Sequence, residues 1–144
     1  MAASTITQNI ERYGDKLQVL TFTCTANSGD ATFLSTVSTD DASWHGQTYT
    51  QLIRGWNLYK VQTLYGATAP LDDSDLVIND ENSIDVLGGA GTDMIDNATN
   101  NEFVPLIGGA TPGAQPIISK LTPVITNNNV NSAVTYVKLF LTKE

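Results

Sequence analysis

The apolar runs of this chain are short, and that constrains its fold more than any other feature. Brief apolar stretches alternate with clusters of Asn, Asp, Ser, Thr, Gly and Pro along all 144 residues. No run holds a 3.6-residue period over the length of a helix, and turn signals recur roughly every 8–12 residues. Within the runs the period is two. In 17–25, Leu20, Phe22 and Cys24 fall on one face and mostly Val and Thr on the other. In 133–142, Val137, Leu139 and Leu141 share a face, with Lys138 and Thr142 opposite. Charged residues make up only 15% of the chain, against roughly 25% in ordinary soluble domains. Thr, Asn, Ser and Gly take their place, and these suit strands and tight turns. The pattern predicts an all-β protein: a β-sandwich or jelly roll of about eight or nine short strands. It forms a single domain over 16–144, preceded by an N-terminal arm over 1–15.

In the arm, Ile6 and Ile10 are the only sizeable apolar side chains between Met1 and Tyr13. It is therefore either a frayed terminus or a segment that orders on a neighbouring subunit. Asn27-Ser28-Gly29-Asp30 signals a turn joining the strand at 17–25 to a second at 32–38, as a hairpin. Two further strands, 49–53 and 56–64, are separated by Arg54-Gly55, where the glycine signals a bulge or a tight bend. The second carries Trp56, Leu58 and Leu64 on one face and Tyr59 and Val61 on the other. Such a strand is either central in a sandwich or covered by a partner through Arg54, Trp56 and Tyr59. Short apolar segments follow at 76–78 and 84–87. Residues 93–102 are ambiguous between a loop and a brief helix capped by Thr92, and 103–107 reads as a strand. The clearest hairpin pairs 117–126 with 133–142, and Pro123 places its strand at an edge or a bulge.

Fifteen acidic against seven basic residues leave a formal charge of -8. Such a surface repels phosphate, so neither nucleic acid nor an anionic membrane is an expected partner. No apolar run approaches a membrane span. The first residues have neither the basic start nor the apolar stretch of a signal peptide, so folding in a cytosol is expected and the Asn97-Ala98-Thr99 sequon reads as chance. Cys24, alone and flanked by strand residues, reads as a small buried hydrophobe.

No catalytic residue is expected. His45 is the single histidine, it lies beside Gly46, and no Gly-x-Ser-x-Gly elbow exists to present a serine to it. One His and one Cys do not close a zinc site. Asp72, Asp73, Asp75, Asp80, Glu81 and Asp85 could offer hard oxygens to Ca²⁺, yet they lack the Asp-x-Asp-x-Asp-Gly order, and Asp also serves turns. The same carboxylates could serve a glycosidase, but Trp44, Trp56 and Tyr59, which would line a sugar cleft, lie in other segments. Gly88-Gly89-Ala90-Gly91 lacks the Gly-Lys-Ser/Thr ending of a phosphate loop and reads as a tight turn. The expectation is therefore no cofactor and no metal, with a calcium-stabilised receptor- or carbohydrate-binding module as the alternative.

The stretch from Arg54 to Gly89 holds three linked signatures. They are Gly66-Ala67-Thr68-Ala69-Pro70, then Asp75-Leu76-Val77-Ile78-Asn79-Asp80, then Asp85-Val86-Leu87-Gly88-Gly89. Together they resemble small structural proteins of tailed-bacteriophage virions, over roughly Arg54 to Asp96. Those proteins tend to carry a glycine in the turn before the second Asp, where this chain has Asn82-Ser83. The resemblance implies a virion component assembled in the host bacterial cytoplasm, with no catalytic residues. Among such components a head decoration (cement) protein fits best: an oligomer, expected to be a trimer, bound to the major capsid protein. A tail-associated or head-to-tail connector subunit is the second reading.

Overall fold

The structure, a computed structural model, describes residues 3–144; Met1 and Ala2 of the expected arm lie outside the described residues. The all-β expectation holds. Twelve strands are β1 (Thr5–Arg12), β2 (Leu17–Thr25), β3 (Ser43–Trp44), β4 (Gln47–Thr48), β5 (Asn57–Tyr65), β6 (Asp75–Asn79), β7 (Asn101–Phe103), β8 (Leu106–Ile107), β9 (Thr111–Pro112), β10 (Gln115–Pro116), β11 (Thr122–Thr126) and β12 (Val134–Thr142). The only helices among the described residues are a 3-10 turn at Thr39–Asp41 and α1, Tyr49–Ile53.

One large antiparallel sheet runs β1-β2-β12-β5-β10, with β7 also pairing β5. A two-stranded sheet, β11-β6, forms the second layer. Between them lies a core in which Leu20, Phe22, Leu139 and Leu141 of the large sheet join Leu76, Ile78 and Ile125 of the small one. Burial alternates strictly along β12, because each inward side chain enters this layer while its neighbour points outward. Gln18 and Thr135 are buried in the same face. Each is held by a hydrogen bond: Gln18 Nε2 to the Leu52 carbonyl at 3.0 Å and Thr135 Oγ1 to the Leu64 carbonyl at 3.0 Å.

Several sequence expectations are corrected. Residues 5–12 are not a frayed end: they form the edge strand β1, ordered within the chain by pairing with β2 from Thr5↔Thr25 to Arg12↔Gln18. Residues 32–38 form no strand, because β1 and β12 already occupy both edges of β2. Residues 49–53 form α1 instead of a strand. Thr48 Oγ1 accepts from the Gln51 amide at 3.2 Å, and Gln51 Oε1 accepts from the Thr48 amide at 2.9 Å, a reciprocal cap that starts a helix.

The expected terminal hairpin does not exist either. β11 pairs β6, whereas β12 crosses to the other layer and inserts between β2 and β5. Pro123 lies in β11, in a two-stranded sheet, which agrees with an edge position.

In β5 the register against β12 shifts between Phe140 and Leu141, so that Lys60 faces Phe140 and Leu58 faces Leu141. Tyr59 is thus the extra residue of a bulge. The bulge resets the alternation and brings Leu58, Val61 and Thr63 all to the buried side. The faces read from strict alternation were wrong past residue 58 for this reason.

Candidate functional site

The later part of the Arg54–Asp96 segment supplies β6 of the second layer and the turns that cover it. Asp85 is half-buried beside β6, and its carboxylate gathers three backbone amides. Oδ1 accepts from Ile78 and Leu87 at 3.0 Å each, and Oδ2 accepts from Gly89 at 2.9 Å. This folds 85–89 into a tight turn that sends Leu87 into the core. Asp80 does similar work one turn earlier, accepting from the amides of Asn82 at 2.8 Å and Ile84 at 3.1 Å. Ser83 there takes φ 60, the left-handed region that favours glycine. Gly91 lies so close to β6 that a Cβ would meet the Leu76 carbonyl oxygen at 2.2 Å. The Asp and Gly of the motif are therefore committed to backbone architecture.

The six carboxylates considered for calcium separate. Asp80 and Asp85 are occupied in turns, while Asp72 and Asp73 meet Asp96, with one oxygen from each within 4.8 Å of the others. Asp96 was not expected in this group. It arrives because Ser74 and Ile95 form a β-bridge, a contact with no local sequence signal. Its carboxylate accepts from Asn101 Nδ2 at 2.8 Å, and this bond first of all holds Asp96 below the ordinary carboxylate range. Asp73 is pushed the other way, chiefly by the charge of Asp72. Asp75 is engaged elsewhere, accepting from the Asp93 amide at 2.8 Å and from Asn127 Nδ2. Three converging carboxylates offer oxygen ligands of the kind a hard divalent cation takes.

The residues expected at an interface do not form one patch. Trp56 is in the core, where Arg12 and Lys143 lie over its ring at 5.9 and 5.4 Å. Arg54 is the exposed C-cap of α1. Tyr59, on the bulge, is 52% exposed. Ile6 and Ile10 are half-buried along the inner side of β1, packed against the core. His45 sits at the exposed tip between β3 and β4 with its ring 4.6 Å from that of Trp44. Cys24 is fully buried, as expected, and burial pushes its thiol up to about 12.

Two surface features were not visible in the sequence. A shallow groove between 80–86 and 115–121 is flanked by Ile84 and Ile118, which are 62% and 70% exposed. The second is the outer edge of β1, which nothing pairs among the described residues.

No family model matches the chain, and no curated protein sequence matches it. Among solved structures, it is similar to a cupin domain from Bordetella pertussis Tohama I, at 9% identity over 99% of each chain, with a TM-score of 0.32.

Proposed function

We propose that this chain is a structural subunit of a tailed-bacteriophage virion, and that its role is to decorate and stabilise the outer head surface in many copies. The observation that carries the reading is the use made of the Arg54–Asp96 motif. Asp85 collects three amides, and Gly91 admits the close approach of β6. A motif spent on scaffold suits a protein whose work is done by its shape and surface. Repetition on a shell turns modest individual contacts into firm attachment.

The test is to purify virions, separate heads from tails by sedimentation, and identify the chain by mass spectrometry. Recovery with heads in many copies is the expected result. Recovery with tails or necks alone replaces decoration by the tail or connector role, and absence from both fractions refutes the virion reading.

A further inference from the structure

We propose that the outer edge of β1 is a docking site for the same edge of a second copy, joined antiparallel about a two-fold axis at Gln8. The inference deepens the structural-subunit reading and rests on it for biological setting; its geometry stands without it.

The fold guards its other strand edges. On the far side of the large sheet, β10 has two residues and ends in Pro116, and β7 has three. In the small sheet β11 contains Pro123. The free side of β6 is covered by 85–95, through the Val86 amide to the Ile78 carbonyl at 2.8 Å and the Leu76 amide to the Gly91 carbonyl at 3.0 Å. Short strands, prolines and covering loops are the usual devices that stop sheets from pairing edge to edge. β1 has none of them. It runs eight residues in unbroken register with β2, and Thr5 to Ile10 contain no charge, proline or glycine.

Three further features favour a second copy as the occupant. First, the strand is self-complementary. With Gln8 on the axis, Ile6 lies opposite the partner copy's Ile10 and Ile10 opposite the partner copy's Ile6. Thr7 faces the partner copy's Asn9, and Thr5 faces the partner copy's Glu11. No like charges meet, and side chains keep their faces, so two large sheets become one. Second, Ile6 and Ile10 are the half-buried inward residues of β1, and the pairing extends the apolar layer across the junction. Third, β1 carries one Glu and one Arg in a chain of net charge -8, so the edge is a neutral strip on a surface that otherwise repels its own copies. Such a dyad gives a dimer, where the sequence reading expected a trimer.

Thr7 and Asn9 are exposed, so changing them leaves the core intact. Sedimentation across a concentration series is expected to show a dimer. The T7K/N9K variant places lysine opposite lysine twice across the axis and is expected to weaken association about tenfold or more. T7K/N9E restores opposite charges at the same positions and is expected to recover the dimer. Circular dichroism of both variants checks the fold. On the unmodified chain, hydrogen exchange gives a second reading, with β1 amides gaining protection as concentration rises. A monomer at all concentrations, a dimer indifferent to T7K/N9K, failure of T7K/N9E to recover it, or β1 exchange independent of concentration each overturns the proposal. None of these results bears on whether the chain is found in virions.

Discussion

Replacing Asp85 by Ala tests the claim that the motif is a folding device. The carboxylate accepts three amide hydrogen bonds, at 3.0, 3.0 and 2.9 Å. A hydrogen bond to a charged group contributes about 1.5–3 kcal/mol when buried. Asp85 is only half-buried, and water can re-satisfy some of the freed amides, so the lower end applies. Three such bonds give a loss of about 3–5 kcal/mol for Asp85→Ala. A domain of this size loses about 2–4 °C of Tm per kcal/mol, which puts the fall at roughly 6–20 °C. Asp85→Asn keeps an oxygen for Ile78 and Leu87 but turns an N–H₂ toward the Gly89 amide, so it is expected to cost about 1–2 kcal/mol. Calorimetry or urea unfolding at neutral pH measures both. A loss below about 1 kcal/mol for Asp85→Ala would mean that the turn is held by its glycines and by Leu87 burial, and that the carboxylate is not what folds it.

The other predictions probe the same layer and the acidic cluster. Gly91→Ala drives a Cβ to 2.2 Å from the Leu76 carbonyl oxygen and is expected to destabilise by about 2–4 kcal/mol, read from urea midpoints. Ser83→Gly relieves the left-handed backbone at φ 60 and is expected to raise stability by about 0.5 kcal/mol, visible as a small rise in Tm. Asp73 is raised in the folded protein, chiefly by Asp72, so its ionisation opposes folding. That penalty is absent below the unfolded carboxylate value of about 3.9 and complete above the folded one. Asp73→Asn should therefore raise Tm at pH 7, with the pH-dependent part of the gain vanishing below about pH 4. Asp96, lowered mainly by the Asn101 bond, has the opposite sign. Its contribution is present at neutral pH and lost as pH falls through its folded value, so Asp96→Asn should lower Tm at pH 7 and not at low pH.

Local periodicity identified the strands that build the core. In β2 and β12, alternation named Leu20, Phe22, Cys24, Val137, Leu139 and Leu141, all of them buried, but not Gln18, Val19 or Thr135, which are buried too. Signals that were present but unread include Thr48-x-x-Gln51, whose reciprocal cap makes 49–53 helical although its apolar residues suit a strand. The acidic cluster was half legible. Asp72 and Asp73 are adjacent in the chain, but Asp96 joins them only through the Ser74–Ile95 bridge. The bulge at Tyr59 left no mark in the sequence, because it is defined only by the register of β5 against β12.

What the amino-acid order determined alone was that the chain is mostly extended and turns often, and which side of β2 and β12 faces inward. These depend on neighbours one or two residues away. Which strands pair was decided by tertiary structure, because any two alternating strands can form a ladder and only the filling of one shared core selects among them. That selection moved β12 away from β11 to the middle of the large sheet, left 32–38 without a partner, and placed β1 at the edge with one side open.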